Sequence, residues 1–302
     1  MTAGAAMATP TELAIVINAG DRHEVLGLLI QGVGAPRSQR LATSKLLHRQ
    51  CLAAASLQST STNHLLASMA GSVYSVLLYH DDPYQAQAVA LSARRSAEAA
   101  GHNGAQLWAA SAEAMCARRL GDPRGAIEAI ESVMNLRAER GTRGVLAASV
   151  LAESYGDTGD AAGVQRSLEQ IARVRDSITD EDEFSGMMYF AIEEQLDHQG
   201  EALLGCRKYA EAITHAGRSL EIYDKMPAAQ RSIGYMRNSC VTVATAATRL
   251  GWLDQAEEYA RRALAFPVDR PLEPVFMPLQ QALATSNVPR LAAHIREAVQ
   301  SS

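Results

Sequence analysis

One short phrase recurs along this chain, and no other feature constrains the fold as much. It reads "RRLGDPRGAIEAIESVMNL" from Arg118, "YGDTGDAAGVQRSLEQIA" from Tyr155, "LGCRKYAEAITHAGRSL" from Leu204 and "LGWLDQAEEYARRAL" from Leu250. Each copy has a tight polar turn, then a small residue, then an apolar stripe. An earlier copy, "LLYHDDPYQAQAVALSA", aligns at Asp81. With the turns set at Asp81, Gly121, Gly159, Arg207 and Gly251, the spacings are 40, 38, 48 and 44 residues. Self-similarity at such a period marks a stacked array of repeats. A plain helical bundle is the alternative, but a bundle has no reason to reuse one turn phrase.

Each unit reads helix, turn, helix. In the fourth copy Gly251 ends a helix, because glycine enters the left-handed conformation at little cost. Ala256, Ala260, Ala263 and Leu264 then share one helical face. In the third copy Tyr209, Ala212, Ile213, Ala216 and Leu220 follow the turn, and Leu196, Gly200 and Leu203 share a face of the helix before it. Leu151, Ala152 and Tyr155 do the same in the second. Composition agrees: aromatic residues are 5%, and the 47% hydrophobic share is mostly Ala and Leu, which favours helices over strands.

The Leu-small-x-x-Tyr portion at Leu151, Ala152 and Tyr155 resembles the tetratricopeptide repeat (TPR). So does the portion carried by Tyr209, Ala212 and Ile213, and in part that at Gly251, Leu253 and Ala256. The units are longer than the usual tetratricopeptide repeat, and Ala replaces several large aromatics. The phrase "LGDP" and the pair Ala100-Gly101 further resemble the sensor region of actinobacterial helix-turn-helix (XRE-type) regulators. That likeness implies a regulatory role. It covers the sensing part alone, since no compact basic recognition helix stands out. The expected fold is an all-α solenoid of stacked antiparallel helix pairs, about five repeats plus capping helices. Residues 1–60 would be N-terminal caps, with helices over Thr11–Gly32 and Pro36–Leu57. Residues 61–266 would be the array, and 267–302 the C-terminal caps. There Pro267, Pro271, Pro274 and Pro278 break the helical pattern before "PLQQAL" and "PRLAAHIREAV".

The 302 residues carry a net charge of −5, without the basic footprint of a general nucleic-acid or anionic-membrane binder. No stretch is apolar enough to span a bilayer and no signal peptide is read. Cys51, Cys116, Cys206 and Cys240 lie far apart, which argues against a zinc site or disulfide framework and suits a reducing cytoplasm. Catalytic motifs are missing, so a non-enzymatic chain without cofactor is expected. "HDDP" at His80, Asp81 and Asp82 reads as ordinary turn chemistry, and "TDEDEF" at 179–184 as a solvated loop.

In such an array the leading helix of each pair faces the concave surface. Its outward places are Tyr79; then Trp108, Ser111, Met115, Arg118 and Arg119; then Leu146, Ser149 and Glu153; then Glu194, Asp197 and Glu201; then Asn238, Val241, Thr245 and Arg249. The middle stretch, 153–201, holds thirteen acids against three Lys or Arg. An Asn amide both donates to and accepts from a peptide backbone, and aromatic and Arg residues are common anchors. The expected partner is therefore a peptide, a small molecule or a protein segment in the groove, with anionic ligands disfavoured by the acids. A scaffold that forms a homodimer or docks a protein by its outer or terminal surfaces is the second reading. Burial of Trp108 between repeats is the competing structural role.

Overall fold

The structure is a computed structural model that describes residues 37–136, 142–178, 189–267, 271–286 and 288–300. Among them are thirteen α-helices and one short 3-10 turn, with no strand. The helices are α1 (Arg37–Leu57), α2 (Ser61–Leu78), α3 (Pro83–Ala100), α4 (Asn103–Arg119), α5 (Pro123–Glu131), α6 (Arg143–Thr158) and α7 (Ala161–Asp176). They continue with α8 (Ile192–Gly205), α9 (Tyr209–Lys225), α10 (Ile233–Leu250), α11 (Leu253–Ala265), α12 (Glu273–Ala284) and α13 (Pro289–Gln300). The all-α class is as expected. The Thr11–Gly32 helix and the 179–184 charge run lie outside the described residues. The chain forms two compact units, Met1–Ala147 with Arg173–Phe190, and Ala148–Ala172 with Ala191–Ser302.

The recurring phrase has a recurring geometry. Gly121, Gly159, Arg207 and Gly251 have φ of 80, 75, 64 and 77°, all left-handed. One residue later, Asp122, Asp160, Lys208 and Trp252 donate their N–H to the carbonyls of Ala117, Tyr155, Leu203 and Ala247, five residues back. This is the six-to-one bond of a Schellman stop. The same four residues then offer their carbonyls to the N–H of Ala126, Val164, Ala212 and Ala256, starting the next helix. Side chains of 1% exposure or less occupy those four places. The Asp81 copy reaches the same end by another turn. Asp82 donates to Leu78 O, its carboxylate caps Gln85 N at 2.9 Å, and its carbonyl accepts from Ala86, which is fully buried. Asp81 pairs with Arg37 at 2.8 Å, so both acids of "HDDP" have turn and packing duties.

Leading and trailing helices differ in how they are covered. In the first unit α2 packs on α1, α3 and α4, and thirteen of its eighteen residues are buried. In the second unit α10 packs on α8, α9, α11 and α12. Its partner α11 buries only Ala256, Ala260 and Ala263. The trailing helix α11 is thus amphipathic and keeps a wet face, whereas α2 and α10 are covered on several sides. Alanine at the contacts lets backbones approach. Gly156 of α6 and Gly205 of α8 need this most: a Cβ on Gly156 would stand 2.6 Å from Ala202 O, and one on Gly205 2.7 Å from Gly156 C.

Each unit has its own core. Leu47, Cys51, Leu66, Met69 and Trp108 anchor the first. Tyr223, Met236, Phe276, Leu279 and Ile295 anchor the second, where α12 and α13 close it. α12 corrects one expectation. Pro274 sits in its first turn and Pro278 within it, rather than before it. A proline in the first turn removes an N–H that had no partner. Pro278 forfeits one bond near the helix start, and fully burying Phe276 and Leu279 offsets that at roughly 1.5–3 kcal/mol each.

Candidate functional site

Few of the outward places read from the sequence face outward. Trp108 is 8% exposed and belongs to the first unit's core. Ser111 is fully buried and donates to Leu107 O at 2.8 Å. Ser149 is fully buried, and Glu153 and Asp197 are 2% and 1% exposed. Val241 and Thr245 are buried, Thr245 donating to Val241 O at 2.7 Å. The reason is the covering of these helices: α4 packs on α2, α3 and α5, and α10 on α8, α9, α11 and α12, so little of their circumference remains open. Tyr79, Met115, Arg118, Arg119, Leu146, Glu194, Glu201 and Asn238 are half-buried, and Arg249 is exposed. Tyr79 caps the end of α2, with its ring 3.9 Å from that of His80. Arg118 and Arg119 fill the last turn of α4, where cations suit the helix dipole. Arg249 donates to Thr285 Oγ1 at 2.8 Å.

The second unit gathers the rest. α8 carries Glu193, Gln195, Asp197, His198 and Gln199 into a buried setting, unusual for such residue types. These contacts answer their polar demands. Asp197 Oδ1 accepts from Ser239 Oγ at 2.5 Å, and Ser239 Oγ lies 3.3 Å from Ser219 Oγ. Ser219 donates to Glu193 O at 2.8 Å. Gln199 Oε1 meets His215 Nδ1 at 2.9 Å. His198 Nδ1 lies 2.8 Å from Glu153 Oε1 on α6, and its ring centroid lies 5.9 Å from that of Tyr235 on α10. Glu194 Oε2 accepts from Ala191 N at 3.2 Å at the start of α8. Arg237 is fully buried, and its guanidinium donates to the carbonyls of Phe266 and Pro267.

The electrostatics follow from burial. Carboxylates Glu194, Glu193 and Asp197 stand near Tyr223, whose hydroxyl is pushed well above the usual phenol range, mainly by desolvation and then by those charges. His215 is pushed down by burial, with the cation Arg218 adding to the effect. Burial lifts the thiols of Cys51 and Cys240 to about 12 and that of Cys116 to about 11, so all three are packing groups rather than nucleophiles.

Along α8, Glu194, His198 and Glu201 follow helical spacing, and Tyr235 and Asn238 stand three apart on α10. The contact of His198 with Tyr235 brings the two strips together. Sequence reasoning picked out Glu194, Asp197, Glu201 and Asn238 but passed over His198, Tyr235 and Ser239. His198 was legible: it lies one turn from both Glu194 and Glu201. Ser239 was not, because a serine in an apolar helix gives no periodic signal. Among the described residues, no three His, Cys, Asp or Glu side chains are placed to hold a metal ion, and no helix is long and apolar enough to cross a membrane. No protein-family model matches this chain, and no curated protein matches it in sequence.

Proposed function

We propose that this chain is a non-enzymatic, tetratricopeptide-like binding protein that holds a peptide, a small molecule or a protein segment against its inner row of helices, in the service of regulation. The observation that supports this best is the half-buried strip of Glu194, Glu201, Tyr235 and Asn238, backed by the buried Asp197 and His198. Carboxylates attract a ligand's cationic group and repel an anionic one. A tyrosine face accepts a cation, and an asparagine amide pairs with a peptide backbone at both its donor and its acceptor. The regulatory part of the reading rests on the likeness to sensor regions and is an argument from analogy.

Titration calorimetry against matched cationic, neutral and anionic peptides tests it. Cationic peptides should bind, and Glu201→Gln and Asn238→Ala should each weaken binding about tenfold, or roughly 1.4 kcal/mol. Equal affinity of all three peptides, or affinity unchanged in both variants, would overturn the reading. One observation favours the scaffold alternative. Leu250, Trp252 and Leu253 are 37%, 50% and 40% exposed at a single joint, and an apolar tip with a central Trp suits protein docking. That reading requires a mass in light scattering that rises with concentration and stays monomeric in Trp252→Ala.

A further inference from the structure

We infer that the mouth where α9 ends and α8 and α10 begin seats a primary ammonium group of the ligand, with Tyr223 Oη as its hydrogen-bond acceptor and Glu193 and Glu194 as its counter-charges. The inference rests on the binding of a cationic ligand proposed above. All three helices belong to the second unit.

The register of the helices builds the mouth. Ser219 of α9 donates to Glu193 O in the first turn of α8, and Ser239 Oγ of α10 lies 3.3 Å from Ser219 Oγ. Tyr223 follows Ser219 by one turn on α9, and Ser232 precedes Ser239 by two turns on α10. Both therefore share a face with the touching serines but stand nearer the end of the layer. Arg231 to Tyr235 are half-buried there, as is Glu194, whereas Tyr223 is 1% exposed. Tyr223 is the floor of the mouth and the start of α10 its rim.

The floor is polar and unsatisfied. Tyr223 Oη is buried without a hydrogen-bond partner, and Ser232 beside it stands outside hydrogen-bond geometry. A phenol both donates and accepts, so a Ser232 hydroxyl turned towards it would still leave one side unmet. Burying such a group costs stability that phenylalanine would keep. The charges that bear on the hydroxyl are the carboxylates of Glu194, Glu193 and Asp197. They keep it protonated, so it meets a cation as a neutral acceptor. Asp197 takes the Ser239 hydroxyl and lies behind the seat. Arg231 turns its guanidinium to the carbonyls of Asp224 and Met226.

The chemistry of the occupant follows. No three His, Cys, Asp or Glu side chains among the described residues are placed for a metal ion, so the cation that suits these acids is organic. An oxygen acceptor requires an N–H, which a quaternary ammonium lacks. A guanidinium is a wide planar fork suited to bidentate carboxylates, whereas an ammonium is a compact point charge that fits a single phenol oxygen.

The test is titration calorimetry with N-acetylated peptides of one neutral sequence carrying lysine, trimethyl-lysine, arginine or norleucine at one position, and with the norleucine peptide bearing a free N-terminus. In the wild type, lysine or the free N-terminus should bind about tenfold more tightly than trimethyl-lysine or arginine, and whichever amine does so names the source. Tyr223→Phe should erase that preference, and its urea midpoint without peptide should equal or exceed the wild type's. If cationic peptides outbind norleucine but neither amine outbinds trimethyl-lysine, the seat falls and the cationic reading stands. If no cation is preferred, both fall. A preference retained in Tyr223→Phe overturns the seat, as does a lower urea midpoint in that variant, because the hydroxyl would then be bonded within the fold.

Discussion

Replacing Gly156 with alanine puts a helix crossing at which two backbones touch to the test. The added Cβ would meet Ala202 O at 2.6 Å, Ala202 Cα at 3.1 Å and Ala202 C at 3.2 Å. Ordinary contact begins near 3.4 Å, so α6 and α8 must part by about 0.8 Å at this point. No rotamer relieves the clash, because every opposing atom is backbone. Overpacking of this kind costs about 1–3 kcal/mol, and the backbone contact places Gly156→Ala in the upper half of that range. Alanine returns about 0.5–1 kcal/mol of helix preference, which leaves a net loss of about 1–2.5 kcal/mol. Gly217→Ala is the control. Gly217 lies inside α9, and a Cβ there meets nothing within 4 Å, so only the gain of about 0.5–1 kcal/mol remains. Urea unfolding followed by far-ultraviolet circular dichroism should move the two midpoints in opposite directions. In melting temperature the loss amounts to roughly 2–10 °C. Equal shifts, or a stabilised Gly156→Ala, would refute the claim that these backbones touch.

Two further perturbations address the joints and the buried imidazoles. Arg207 occupies the left-handed place that glycine fills at the other three stops; relieving it costs some chain entropy, so Arg207→Gly should stabilise by about 0.5–1 kcal/mol and Gly121→Ala should destabilise by a similar amount, read from urea midpoints. Burial holds the folded-state titration of His48 and His215 below the usual histidine value. Their contribution to stability is therefore complete above pH ~6.5 and lost as pH falls through the lowered folded values. The urea midpoint should decline from pH 6.5 to 5, and His215→Gln should flatten part of that slope.

The joints were legible because they are local. Gly121 and Gly251 announce a left-handed stop, and the small residue five places on must pack beneath it, so Ala126 and Ala256 could be placed from spacing alone. Arg207 was found only by alignment, since nothing in its chemistry asks for that conformation. The outward places of the leading helices were harder to read. Outwardness was inferred from which positions were left after packing residues were assigned, but α4, α8 and α10 pack on more than one side. Trp108, Ser111 and Asp197 therefore went to the interior. Period analysis also counts Asp, Ser and His as wet, and so cannot foresee a helix such as α8, whose buried polar groups satisfy one another through α6, α9 and α10. Pro278 misled for the converse reason: one lost backbone bond weighs less than two buried apolar side chains.

The glycine joints stand clear of everything else. A side-chain carbon added at Gly121, Gly159 or Gly251 would find no atom within 4 Å. The tilt between the two members of a helix pair is thus governed by what lies under the joint: Ala126 after Gly121, Val164 after Gly159 and Ala256 after Gly251. A residue one carbon larger there would act as a wedge, prying open a single pair while its neighbours kept their angle. Evolution can therefore retune one helix pair at a time by exchanging a methyl for something bulkier, without rewriting any turn.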